Sequence, residues 1–477
     1  MNPSVQDKKL NKAVFHFIFP FLIKPDNEQA LMNDLLDENY QHFNIEDKQL
    51  EQAFYGENQR VSHRNMEHYY LPFTSKILFP TRKEDRGFQR FSKSIDQKVS
   101  VVSEYFTLPF LLLSVDVIIC PFGLGFLSLR TEIANNDLTY TEALEYAARF
   151  RVMEDRTTLD KKSQISYQGR TFNQVEHFIF ETVAPMILPH FDKEGIKGSH
   201  FETLPYFIDE RMYVQGFFSF EEGESIDESD IYRAGQLDGM DEKGQPFIGA
   251  SSKRYLKGYI KEQTYCRWEP DTYYVTDRNS FCCLTNQQGE VLDSLISQMY
   301  GEYYYSLLLN LFHKIVLLKL ANEYSQVKLE SDREKVEDLI RSITRFSSEY
   351  FFLELASQTQ GRELFVQLRK VFGTQELYDD VRNTLSSLFK YQSNFSSERN
   401  GYLLLILTVY TVVSGIYGMN LAIEDLKGDI NWDKMAGYSL FESIALITAM
   451  SGLIIGILLG AKSIYNWVRK KRRVRQD

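Results

Sequence analysis

The sequence predicts an α+β membrane protein, with an N-terminal mixed α/β body followed by a long helical stalk and two C-terminal transmembrane helices. Three observations carry this. Residues 402–420, YLLLILTVYTVVSGIYGMN, are an apolar run of membrane type, and residues 439–461 are a second. A basic tail follows the second run: Lys462, Arg469, Lys470, Lys471, Arg472, Arg473 and Arg475 stand against Asp477 alone. That is the positive-inside pattern, and it puts the C-terminus in the cytoplasm. Thirdly, the mean hydropathy of −0.32 suits a soluble protein, so the membrane part is a small share of the 477 residues.

The formal charge of −11 conceals a split, because the tail contributes +6 and residues 1–460 therefore carry −17. An acidic body argues against general nucleic-acid binding. The four cysteines, Cys120, Cys266, Cys282 and Cys283, show no CxxC spacing and no histidine at metal-ligand spacing, which fits reduced thiols rather than zinc. No cleavable signal is visible, since the apolar stretch Val14 to Ile23 is short, holds His16 and Pro20, and lacks a small-residue cleavage site.

In chain order, residues 12–23 read as a buried strand, followed by a helix capped at Asp26 and running to Glu38, and a second helical stretch from Glu46 to Phe54. Residues 59–98 lack clear periodicity but hold five cations, Arg82, Lys83, Arg86, Arg90 and Lys93. These read either as a solvated, ion-paired face or as a site for an anionic ligand such as a nucleotide, although no glycine-rich phosphate loop accompanies them. Residues 108–129 are long and apolar enough to span a membrane. Asp116 and the turn chemistry of Pro121-Phe122-Gly123 instead predict two strands around a turn. A helix follows at Thr141–Arg151 with Thr139 or Thr141 as cap. Residues 221–252 read as an exposed acidic loop without calcium-loop order, and Tyr273–Leu284 as a hairpin turning at Asp277–Asn279.

From Val291 onward the chain reads as helix, with segments at 302–324, 332–358 and 362–372 and breaks at Gly361 and Gly373. From Thr374 no stop appears before Gly418. Leu377, Val381, Leu388 and Phe395 give that helix a near-heptad apolar stripe, for packing in a bundle or against its own domain. The expected division is a cytosolic α/β domain at 1–290, a helical funnel or stalk at 291–400, a first transmembrane helix at 401–418, an outer loop at 419–438, a second transmembrane helix at 439–461 and a basic cytoplasmic tail at 462–477. Gly452, Gly456 and Gly460, spaced by four, make a helix-packing face on the second span. On the first span and below it, Gly415, Thr411, Thr408, Leu404, Gly401 or Asn400, Ser397 and Asn394 recur at steps of three and four. They share one face. A polar face in a membrane helix looks into a bundle or a water-filled path.

Gly418-Met419-Asn420, preceded by Ile416-Tyr417 at the outer end of the first of two C-terminal spans, with an acidic outer loop and a basic tail, resembles the CorA family of divalent-cation channels. The resemblance covers the C-terminal part of the chain. It implies a homopentamer in the cytoplasmic (inner) membrane with both termini cytoplasmic, and a pore lined by the first span of each subunit. Gly418, Met419 and Asn420 would form the selectivity end, with the Asn420 amide oxygens accepting hydrogen bonds from the waters of a hydrated Mg²⁺ or related divalent cation. Gly418 would let the helix end. Thr411 matches a pore-lining threonine and Asn394 a polar ring at the inner end. The chain departs from the family where large apolar residues narrow the inner pore, since Asn400 and Ser397 stand there and Leu404 is the only large apolar member of the row.

The implied function is conduction of Mg²⁺ or a similar ion, with no enzymatic step and no covalent cofactor. Acidic residues such as Asp332, Glu334, Glu337 and Asp338 are candidates for sensing the metal. A second reading is a CorA-like membrane effector of the kind encoded beside type III CRISPR systems, serving antiviral defence. In it the enlarged cytosolic domain would bind a nucleotide-type second messenger. Catalysis ranks last, because HExxH, a nucleophile elbow and a P-loop are all missing.

Overall fold

In the computed structural model, the described residues are 5–454 apart from 57–58, 83–84, 105, 134, 136, 155–162, 193–210, 268, 328–332, 419–436 and scattered positions between 442 and 453; side chains at 333, 392–400, 409, 412–414 and 416–418 also lie outside the description. The chain forms two compact units, residues 1–385 and 386–477.

The first unit is mixed α/β and built on one large sheet. Its strands are β1 (Leu10–Leu22), β2 (Gln41–His42), β3 (Gln89–Val102), β4 (Thr107–Cys120), β5 (Leu124–Ile133), β6 (Gln164–Tyr167), β7 (Arg170–Phe172), β8 (Tyr213–Phe220), β9 (Thr264–Tyr265), β10 (Thr272–Thr276) and β11 (Ser280–Thr285). They lie in the order β7-β6-β3-β4-β5-β1-β8-β11-β10-β9, with β2 paired to β3. Every pairing is antiparallel except β8 with β11. The helices are α1 (Glu28–Asp37), α2 (Leu50–Ala53), α3 (His63–Tyr69), α4 (Pro72–Leu78), α5 (Tyr140–Phe150), α6 (Val175–Phe178), α7 (Glu228–Gln236), α8 (Lys253–Gln263), α9 (Gly289–Tyr300), α10 (Glu302–Gln326), α11 (Arg333–Arg345), α12 (Thr359–Phe372) and α13 (Thr374–Gly418).

The two faces of the sheet differ because β1 alternates. Phe15, Phe17, Phe19 and Phe21 point to one side, where Phe15 meets Tyr146 and Phe17 meets Phe150 of α5. His16 points to the other, against Tyr300 of α9 and Tyr304 of α10. Both faces are thus covered by helices, which explains why the central strands are apolar on both sides.

The apolar run at 108–129 is β4 and β5 around a turn at Pro121–Gly123, as its turn chemistry predicts; Phe122 takes a left-handed φ of 67° there. The hairpin at β10–β11 and the Thr139 cap are also as expected. Thr139 forms a full capping box with Glu142 at the head of α5.

Other expectations need correction. Asp26 has a left-handed φ of 60° and precedes the cap position, which Asn27 holds without a side-chain bond. Of the stretch from Glu46 to Phe54, only α2 is helical. The acidic loop contains α7, whose N-terminus is closed by an Asp227–Asp230 capping box and by Lys8, ion-paired to both carboxylates. The segment at 332–358 is helical only through α11 and one wide turn at Phe346–Tyr350. Gly361 is no break but a buried position inside α12, beneath Tyr69. Gly373 does end α12, with a left-handed φ of 64°.

Among the described residues one helical stretch, Gly289–Gln326, is long and apolar enough to cross a membrane, yet 78% of its apolar window is buried. It is the core helix pair α9–α10, interrupted at Gly301. The boundary between the two units falls within α13.

Candidate functional site

The helix that carries the polar row runs without a break from Thr374 to Gly418. Gly401 and Gly415 lie inside it, and a Cβ added at either would meet nothing within 4 Å. Leu404, Thr408, Thr411 and Gly415 are all exposed in the single chain. So are off-row neighbours, with Tyr402 at 69% and Leu405 at 62%, so exposure does not by itself pick out the row. The hydroxyls of Thr408 and Thr411 donate back to the Leu404 and Leu407 carbonyls, each at 2.7 Å. With the proton committed to the helix, each hydroxyl oxygen offers only lone pairs outward. An acceptor-only row suits the hydrogens of an ion's hydration water. Tyr410 meets Ser451 at 3.3 Å, joining the helix to the later segment of the same unit. Asn394, Ser397, Asn400 and Gly418 are helical in backbone, but their side chains lie outside the described residues, as do Met419 and Asn420 entirely.

In the α/β unit, the four described members of the cation cluster do not form one surface. Arg90 points into the sheet–helix layer, 2% exposed, and donates to Ser92 (3.0 Å) and Tyr305 (2.8 Å). Lys93, on the other side of β3, stands over the Tyr40 ring at 5.4 Å. Arg82 and Arg86 are exposed in the preceding loop, where Asp85 holds the Arg82 amide at 3.0 Å. Lys83 lies outside the described residues.

Arg90 belongs instead to a buried polar layer that sequence reasoning did not assemble. Strand register places Ser92, Asp116 and Ser128 in one row across β3, β4 and β5. The next row is Ser114, Arg130, His16 and Gln215 across β4, β5, β1 and β8. Asp116, fully buried, is paired with Arg130 at 2.8 Å and Arg90 at 3.3 Å, and accepts from Ser92 at 2.6 Å. Arg130 donates to His16 Nε2 at 2.9 Å and lies over the Tyr55 and Tyr304 rings. Burial and the two guanidinium groups hold His16 well below its usual range, so it is neutral. Burial opposes the charge of Arg90, but Asp116 together with Tyr305, Tyr55 and Tyr304 outweighs it, and its pKa is raised. The layer fixes register: sliding β5 by one residue would drive Arg130 into the phenylalanine face. The sequence signal was polar residues set inside apolar strands, His16 in β1, Ser114 and Asp116 in β4 and Ser128 and Arg130 in β5.

Of the sensing candidates, Asp332 lies outside the described residues, Glu334 is exposed, Glu337 is half-buried and Asp338 pairs with Arg341 at 3.3 Å. Among the described residues no three His, Cys, Asp or Glu side chains gather where a metal could be held. The four cysteines are free thiols, with only Cys266 exposed.

No protein-family model, curated protein or solved structure matches the chain.

Proposed function

We propose that the chain is a CorA-like homopentameric channel of the cytoplasmic membrane, conducting Mg²⁺ or a related divalent cation along a path lined by α13. The observation that carries this reading is where apolar surface is left uncovered. Ten of the seventeen exposed large apolar side chains among the described residues fall between Tyr402 and Ile454. Patches of that size belong to a membrane or to neighbouring subunits rather than to water. The GMN end, the acceptor-only threonines and the basic tail support the same reading, with Asn420 selecting and Thr411, Thr408 and Gly415 lining the path. The −14 charge on residues 1–418 would concentrate cations at the inner mouth.

The second-messenger reading rests on the enlarged N-terminal domain, the altered inner end of the row and the cation cluster, of which Arg90 and Lys93 face opposite sides of β3; we put the channel first. The reading is tested by Mg²⁺ uptake into vesicles carrying the purified chain and by native mass spectrometry in detergent. Uptake above empty vesicles and a mass of five chains are expected; an inert monomer contradicts the reading.

A further inference from the structure

Where α3, the α9–α10 junction and the start of α12 meet, a pocket of about 180 Å³ is lined by Asn65, His68, Tyr69, Gln298, Glu302, Tyr303 and Gln358. Its floor is buried: Glu302 is 6% exposed, Tyr69 3% and Tyr303 2%. No lysine or arginine lines it, and no ion pair to Glu302 occurs among the described residues. Gly361 lies so close beneath the buried Tyr69 hydroxyl that a Cβ there would touch the oxygen. The Tyr69 and Tyr303 rings stand 6.3 Å apart at 62°, forming an aromatic corner beside the carboxylate. The Tyr303 hydroxyl donates to Gln298 Oε1 at 3.3 Å, and the exposed Asn65 and Gln358 stand at the rim.

We propose that this pocket binds a small organic cation through a primary ammonium group, with Glu302 as counter-ion and Tyr69 and Tyr303 as walls. The inference is independent of the channel reading. A buried carboxylate without a cation is costly unless it protonates or gains a positive partner. Ring faces attract ammonium groups, whereas water gains little from them. An ammonium also brings three donors to a lining rich in acceptor oxygens. A divalent metal fits less well, because it prefers several oxygen ligands in fixed geometry and the floor offers one carboxylate.

Burial holds the Glu302 carboxyl up at about 7, so binding has a pH signature. The other titratable groups facing it are His68 on the rim, whose Nδ1 is engaged by the Arg64 carbonyl at 2.8 Å, and the Tyr69, Tyr70 and Tyr303 hydroxyls, which burial keeps protonated. Calorimetry on the full chain in detergent at pH 8, with methylamine, putrescine and spermidine as probes, tests the proposal. Saturable binding of at least one amine is expected, weakened tenfold or more in Glu302→Gln. In the native chain, affinity should fall about tenfold per pH unit below 7, and His68→Gln should keep that slope. No saturable binding of any amine, equal binding in Glu302→Gln, a slope abolished by His68→Gln, or binding of Mg²⁺ alone would each overturn it.

Discussion

Asp116 neutralises two guanidinium groups that have no other acidic partner in the layer, so its removal should be felt far beyond one contact. Asp116→Asn is expected to cost about 3–5 kcal/mol, because it strands two buried cations. Replacing Asp116, Arg90 and Arg130 together by Leu, Met and Met should cost less than that single change. Thermal unfolding of the detergent-solubilised chain, followed by circular dichroism, compares the two. Glu302 gives a second prediction at this scale. Its folded pKa lies above its unfolded value, so the folded state binds the extra proton between about pH 4.5 and 7, and stability falls as pH rises through that window. The loss is on the order of 3 kcal/mol at 1.36 kcal/mol per unit, and it should vanish in Glu302→Gln. Sequence made these residues visible only in part. His16 and Asp116 stood out as polar residues in apolar runs, but register alone brings them to Arg130 and Arg90. Arg90 looked like a surface cation because Arg82, Lys83 and Arg86 precede it, although it opens a strand and they occupy a loop.

Elements bounded by strong local chemistry were legible in the sequence. The β4–β5 pair could be read from Pro121-Phe122-Gly123, the β10–β11 hairpin from Asp277–Asn279, and α5 from Thr139 with Glu142 three residues on. Thr139→Ala should therefore destabilise by about 1 kcal/mol, as lost caps do. Gly373→Ala should cost a similar amount, since its left-handed φ of 64° disfavours a side chain. Elements that depend on distant partners were hidden. Helix α7 is carried by few apolar residues, and its Asp227-x-x-Asp230 cap was masked by acidic composition until Lys8 is seen to close it. Gly361 passes for a helix breaker, yet it is there to let Tyr69 lie on α12. In Gly361→Ala the new Cβ would sit 2.3 Å from the Tyr69 oxygen. Displacing a buried ring should cost about 1–3 kcal/mol, and a thermal shift against Gly258→Ala, which meets nothing within 4 Å, isolates the effect.

At the scale of the molecule, two apolar helical stretches mean different things. The α9–α10 stretch is apolar because a sheet and its neighbours surround it, whereas Leu404, Leu405, Ile406 and Leu407 of α13 are exposed in the single chain. Length and hydropathy read alike in both, and burial is what differs between them. The eleven-stranded order, with β8 brought parallel to β11, was not readable either, because chain-distant strands choose each other through the completed core. The unbroken run of α13 was readable, because helical pattern is local and no stop residue falls between Thr374 and Gly418. The central claim is selection of a hydrated cation by Asn420 at the end of an α13-lined path. Its most direct measurement is Mg²⁺ uptake into vesicles reconstituted with equal amounts of native chain and Asn420→Ala, read by an entrapped indicator. The native chain should load the vesicles and Asn420→Ala should lose at least tenfold of that rate; equal rates, or no uptake by either, would contradict it.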